Sequence, residues 1–138
     1  MSIAVIYTDL DGTLLDHHTY SFEAALQTVH ALRDRGIPIV PCTSKTRAET
    51  AELMNAAGLP GPMIVENGAA IWVPKDWGLS RPAGAEDTSE AWCHSFGPSR
   101  GMIRRQLAIL NVEWGNRYQS LCDLSDKQVM AITGLDAE

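Results

Sequence analysis

Asp9 and Asp11 stand two residues apart in the segment Thr-Asp-Leu-Asp-Gly-Thr-Leu-Leu-Asp, residues 8–16, directly after the apolar run Ile-Ala-Val-Ile-Tyr of residues 3–7. Two acids at the mouth of a buried strand, followed by Gly-Thr, suggest a carboxylate nucleophile and its acid/base partner. A spacing of two points both side chains the same way as long as strand geometry persists. The competing reading is a loop with acidic caps, because Asp-Gly is a common turn. The strand in front and the Gly-Thr-Leu-Leu-Asp behind favour the chemical reading.

Such a pair needs a rigid frame, and the flanking sequence predicts one. Residues 3–8 are apolar at nearly every position, as a parallel strand buried on both faces should be. A polar loop with Asp16, His17, His18 and Thr19 follows. Ser21 is a good N-cap, after which Phe22, Ala25, Leu26, Val29 and Leu32 recur at helical spacing, and Gly36 is placed to end the helix. Residues 37–42 form a second apolar strand. Thr46 and Glu49 have capping-box spacing for a second helix, which turns Leu53, Met54 and Ala57 inward and stops at Gly58-Leu59-Pro60. Residues 63–65 make a third strand, Glu66-Asn67-Gly68 a tight turn, and residues 69–73 an extended return, which is a hairpin signal. The order βαβαβ predicts an α/β fold with a doubly wound parallel sheet and right-handed crossovers.

The texture changes at residues 74–87. Trp77, Gly78, Pro82, Gly84 and several acids predict an irregular excursion and a domain boundary. Residues 92–96 read as one strand of a new sheet. Ile103, Leu107 and Leu110 predict a helix after a cap at Ser99, and Ser125 with Gln128 opens a shorter one that Gly134 closes. Asp136, followed by Ala-Glu, reads as the cap and first turn of a further helix, an ending that looks like a cut.

Other polar residues leave alternatives open. Thr43 is a neutral hydroxyl at a strand's carboxyl end, just before a helix N-terminus; alone it serves equally as a phosphate contact or a cap. Lys45 either holds a substrate anion or is a solvated loop lysine. Asn67 is either a hairpin residue or a ligand contact on the same carboxyl-end face. His17 and His18 lack the helical spacing of a metal pair and read as a solvated loop. Trp72, Trp77, Trp92 and Trp114 are too scattered for a stacking platform. Asp123 and Asp126 resemble a second acidic metal motif, but Ser125 between them reads better as a helix cap, with Asp126 in the first turn favoured by the dipole.

Composition narrows the class. The chain has 138 residues, 45% apolar and 20% charged, with a net charge of −6. That balance suits a globular protein and disfavours nucleic-acid or anionic-membrane partners. No apolar run approaches the ~20 residues that span a bilayer. Cys42, Cys93 and Cys122 are widely spaced, without a C-x-x-C pair, which disfavours zinc and a disulfide framework. A cytoplasmic, reduced location is the expectation.

Residues 9–14 resemble the first motif of the haloacid dehalogenase (HAD) superfamily, D-x-D-G-T-[LV]. The resemblance implies that Asp9 attacks phosphorus to form an aspartyl phosphate, and that Asp11 protonates the leaving oxygen and later deprotonates water. It also implies Mg²⁺ on the Asp9 side chain and the Asp11 carbonyl, backbone amides around Gly12 facing the phosphoryl oxygens, and Thr43, with Ser44 beside it, at the second motif. With Cys-Thr-Ser-Lys-Thr-Arg-Ala-Glu, Ile-Val-Glu-Asn-Gly-Ala-Ala-Ile, Ser-Phe-Gly and the Ile132-Thr133-Gly134-Leu135 stretch, the chain is similar from end to end to the mannosyl-3-phosphoglycerate phosphatase family. That implies a Rossmann-like HAD core with helices on both faces and a type-2 α+β cap inserted after the third strand; Lys45 and Asn67 stand beside it as candidate substrate contacts. Residues 1–82 are then the N-terminal part of the core and residues 83–138 a partial cap. The implied substrate is a phosphorylated sugar or glycosyl-phosphoglycerate.

The family's third motif, a Lys or Arg, and its fourth, an acidic pair, lie beyond the cap in chain order. Here the lysines after Lys45 are Lys75 and Lys127, and no downstream strand is followed by paired acids. The expectation is therefore about half of such an enzyme, with impaired turnover and an exposed sheet edge open to self-association. The competing functions are a non-catalytic fragment that folds or associates, and a phosphotransferase that passes the phosphoryl group to a sugar.

Overall fold

The computed structural model describes residues 4–134. Ile3, Leu135 and the helix start expected at Asp136 lie outside the described residues. The chain divides into two compact units at Gly97/Pro98.

In the first unit, β1 (Ile6–Thr8) and β2 (Ile39–Pro41) run parallel, with Ile6 opposite Ile39 and Thr8 opposite Pro41. A parallel bridge between Cys42 and Ile64 carries the set on to β3 (Met63–Val65). From β3 the sheet continues antiparallel: β4 (Ala70–Pro74) pairs with β3, β6 (Ala91–Ser95) with β4, and β5 (Glu86–Asp87) with β6. The strand expected to begin a new sheet lies in the four-stranded set ordered β3-β4-β6-β5 and pairs with β4 along its whole length. The 82/83 division that the resemblance implies falls within the first compact unit, between β4 and β5.

The helices form where their caps and periodicity place them. α1 (Glu23–Asp34) begins one residue later than expected; Ser21 Oγ still accepts a hydrogen bond from the Glu23 N–H at 3.0 Å. α2 (Arg47–Ala56) opens on the expected capping box, in which Glu49 Oε2 accepts from the Thr46 N–H at 2.9 Å and from its hydroxyl at 2.6 Å. Val29 of α1, Ile39 of β2, and Met54, Ala57 and Leu59 of the α2 region pack with Leu10 and Leu15 into one buried cluster. Crossovers of one hand that step the same way across a sheet deliver their helices to the same face. Ile6 packs against that cluster, whereas Tyr7, one residue on, is 64% exposed. Burial of β1 on both faces, read from its apolar run, therefore holds for one face only among the described residues, because no described helix covers the other. The fold class is as expected, an α/β arrangement of parallel strands joined by crossover helices.

The second unit contains α3 (Arg100–Trp114), a short turn at Leu121–Asp123 and α4 (Asp126–Thr133). Ser99 caps α3 by accepting from the Met102 N–H at 3.3 Å, and Gln128 Oε1 accepts from the Ser125 N–H at 3.0 Å at the start of α4. Arg104 pairs with Asp123, which accounts for that acid without a metal. None of the described residues of this unit is buried. No helix among the described residues is long and apolar enough to cross a membrane.

Candidate active site

Three parallel strands end on the same side, and the loops that follow them build a cleft of about 600 Å³. Asp9 and Asp11 follow β1; Cys42, Thr43 and Ser44 follow β2; Ile64 and the Asn67-Gly68 turn come from β3. Ligands in open α/β sheets bind at this carboxyl-end rim, where loops from adjacent strands converge and the helix dipoles point positive.

The two aspartates keep the alternation read from their spacing. Leu10 between them is fully buried in the apolar cluster, which turns its neighbours toward the cleft. The Leu10 carbonyl also accepts from the Thr13 N–H at 3.2 Å and the Leu15 N–H at 2.8 Å, closing a tight loop under the acids. One oxygen of Asp9, Oδ1, accepts from the Leu10 N–H at 2.7 Å, so the carboxylate is oriented and keeps its second oxygen for chemistry. Gly12 sits in this loop at φ +69° and is not among the residues lining the cleft. A Cβ there would meet His17 Nδ1 at an ordinary 3.7 Å; the left-handed backbone is what requires glycine.

The second and third loops are locked to each other. Thr43 is 4% exposed; its N–H donates to the Ile64 carbonyl at 3.0 Å, and its Oγ1 accepts from the Lys45 N–H at 3.2 Å. The Asn67 N–H donates to the Thr43 carbonyl at 3.1 Å and the Glu66 N–H to the Lys45 carbonyl at 3.0 Å. Those bonds hold Glu66, Asn67 and Gly68 at φ +53°, +57° and +85°, three left-handed residues in succession. Strained backbone of this kind persists only where neighbouring structure over-determines it, and it concentrates at functional sites.

Lys45 is not among the residues lining the cleft, but it reaches Asp11, which is. Its Nζ lies 3.1 Å from Asp11 Oδ1, an ion-pair distance, although no hydrogen bond reaches that buried oxygen. The same ammonium stands 5.7 Å from the centre of the Tyr20 ring. Of the alternatives open for Lys45, a purely solvated loop lysine does not describe this placement. His17 and His18 stay exposed with their rings edge to face at 5.0 Å, as a solvated loop. Asp16 organises that loop: its Oδ1 accepts from the Thr19 and His18 N–H groups and the Thr19 hydroxyl. These bonds, the Thr19 amide first, hold the Asp16 carboxyl below the usual carboxylate range.

Cys42 and Tyr20 were not singled out from the sequence. Cys42 lines the cleft because it directly follows β2, one residue before Thr43, and burial, followed by the charge of Asp9, pushes its thiol pKa up. Tyr20 adopts φ +54°, a conformation no sequence pattern announces.

Among the described residues no group of three or more His, Cys, Asp or Glu side chains comes together as a metal site. Two carboxylates and a backbone carbonyl still suit Mg²⁺, which retains several waters and is commonly held through one or two carboxylates plus substrate phosphate. The Asp9 oxygen left free by the Leu10 N–H bond is the kind of oxygen such a cation satisfies.

Comparison with known proteins agrees with this geometry. The chain is 38% identical over 132 residues to a glucosyl-3-phosphoglycerate/mannosyl-3-phosphoglycerate phosphatase of Methanococcoides burtonii, covering 96% of this chain and 48% of the relative. A phosphatase of the same name from Persephonella marina is 48% identical over 73 residues, 53% of this chain and 27% of the relative. The chain thus spans half or less of the length of these relatives. The fold resembles that of a HAD-superfamily phosphatase from Bacteroides thetaiotaomicron, with a TM-score of 0.58 at 20% identity over 96% of this chain and 47% of the other. Residues 6–88, which include the whole cleft, match the family model for haloacid dehalogenase-like hydrolases, and the chain belongs to that family.

Proposed function

We propose that this chain carries the nucleophilic half of a phosphomonoester hydrolase that works through an aspartyl phosphate on a glycosyl 3-phosphoglycerate. The observation that carries the proposal is the meeting of Asp9, Asp11, Thr43 and Asn67 in one cleft at the ends of three parallel strands. The names of its relatives suggest the substrate class.

In this reading an Asp9 carboxylate oxygen forms a bond to phosphorus as the bond to the sugar-acid oxygen breaks, and Asp11 gives that departing oxygen its proton. Water then attacks the aspartyl phosphate, Asp11 takes up its proton, and inorganic phosphate leaves with Asp9 restored. The Thr43 hydroxyl and the Ser44 and Asn67 side chains hold phosphoryl oxygens, and amides near Gly12 face the same anion. The Asp9 carboxylate and the Asp11 carbonyl would hold Mg²⁺, which neutralises phosphate charge. In this proposal the cap, expected over residues 83–138, takes in β5 and β6 together with the second compact unit. Self-association belongs to the proposal as well: among the described residues β1 pairs only with β2, leaving an open edge beside exposed Tyr7.

Phosphate release from glucosyl- and mannosyl-3-phosphoglycerate in Mg²⁺, with Asp9→Asn as the comparison, tests the chemistry. Asp9→Asn is expected to lower release by on the order of 10³-fold or more, as loss of a covalent nucleophile does; unchanged release rejects Asp9 in that role. A clean monomer by size exclusion rejects the open-edge association.

A further inference from the structure

Lys45 places its positive charge on Asp11, at 3.1 Å, and not beside Asp9 or Thr43 in any contact the structure shows. In the proposed reaction Asp11 faces the leaving oxygen, so a cation on Asp11 lies on the leaving-group side of phosphorus. An ammonium carries three N–H donors. Asp11 occupies one direction around Nζ without a proper hydrogen bond, and the Tyr20 ring occupies another at 5.7 Å. The Lys45 side chain is only 21% exposed, and its backbone is fixed through Thr43 Oγ1 and the Glu66 N–H. This is a positioned cation with donors to spare, on a chain whose net charge is −6. The cost of bringing a second anionic group into such a site is offset only where a cation awaits it.

Resting on the phosphatase reading, we infer that Lys45 is the specificity-determining residue for a second anionic group on the leaving alcohol, a carboxylate close to the phosphoester. Tyr20 serves as the wall that keeps the ammonium on that side. The phosphoryl group itself is held by Asp9, Thr43 and their neighbours, so recognition divides: one set of residues reads the phosphate, and Lys45 reads the leaving group.

The test is calorimetric binding of 3-phosphoglycerate and glycerol 3-phosphate, which share the phosphoester and differ in a carboxylate. Both are titrated into the Asp9→Asn chain so that no ligand is consumed. A charge-assisted contact predicts roughly tenfold tighter binding of 3-phosphoglycerate. Adding Lys45→Met is expected to abolish that preference while glycerol 3-phosphate binding changes little; adding Lys75→Met, which removes the same charge from a surface ion pair with Asp87, is expected to preserve it. A preference that survives Lys45→Met, one lost equally with Lys75→Met, or no binding of either probe overturns the inference. Phosphate release insensitive to Asp9→Asn instead overturns the underlying chemistry, so the two failures are distinguishable.

Discussion

Residues 4–97 and residues 98–134 share the same local vocabulary and differ in what it accomplishes. Both units contain helices opened by Ser or Thr caps and stopped by left-handed glycines such as Gly36 and Gly115. In the first, helices and strands enclose Leu10, Leu15, Val29, Ile39 and Met54. In the second no described residue is buried, and Val112 is 86% and Ile132 67% exposed. Charge divides as well: Arg100, Arg104, Arg105, Arg117 and Lys127 balance Glu113, Asp123, Asp126, Asp136 and Glu138 after residue 97, so the net charge of −6 lies in the first unit. Caps and periodicity specify a helix, whereas a core needs several elements that bury faces on one another. The cleft belongs to the unit that achieved this, because catalytic geometry requires loops anchored on a packed frame.

The largest effect that would break this contrast is in the core. Leu10→Ala should destabilise the first unit by about 2–5 kcal/mol and displace both aspartates, whereas Val112→Ser should stay within about 0.5 kcal/mol. Equal shifts in urea unfolding would remove the distinction. Gly12→Ala comes next, at roughly 1–2 kcal/mol, because φ +69° puts a Cβ in the left-handed region.

Matched cap deletions sharpen the comparison further. Thr46→Ala should cost about 1 kcal/mol of the first unit's stability. Ser125→Ala should speed amide exchange in α4 while leaving the exchange of β1–β3 unchanged. If slowed or hastened exchange spreads equally through both units in both variants, they do not behave as separate compact bodies.

A smaller effect concerns acid. Asp16, Glu49 and Asp87, all in the first unit, are held below the usual carboxylate range, chiefly by hydrogen bonds from Thr19, Thr46 and Lys75 respectively. Carboxyls depressed in the folded state contribute stability above their unfolded pKa and lose it as pH falls through the folded value. The first unit should therefore weaken on acidification below about pH 4, and Asp16→Asn should flatten the pH dependence of its melting temperature. These groups are exposed, so the slope is shallow. Smallest of all is a difference in thiol reactivity. A Ser120 hydrogen bond and then Arg100 pull Cys122 down, whereas burial pushes Cys42 up. Iodoacetamide at neutral pH should label Cys122 before Cys42; the reverse order in a peptide map would contradict both environments.

Much of the site was legible because its signals are local. The spacing of Asp9 and Asp11 after an apolar run and the Thr46–Glu49 box are each decided within a few residues, whereas Gly12 takes its left-handed turn without lining the cleft. Less legible was anything that depends on pairing partners. The strand at Ala91–Ser95 was recognisable as a strand but not as a neighbour of β4, since strand propensity does not name a partner. Lys45 illustrates the same limit in the cleft: its sequence context left an anion contact and a solvated lysine equally open, and only the fold carries its ammonium to Asp11.

By itself the sequence determined the spacing of the paired acids, the strand and helix order that brings them to one edge, and membership of the haloacid dehalogenase-like hydrolase family. Tertiary structure decided which face of β1 is buried, where the compact units divide, and which cation attends which carboxylate. The physical reason is range. Caps, turns and alternation are set by contacts between near neighbours in the chain, whereas burial and ion pairing depend on surfaces that meet only when distant segments pack.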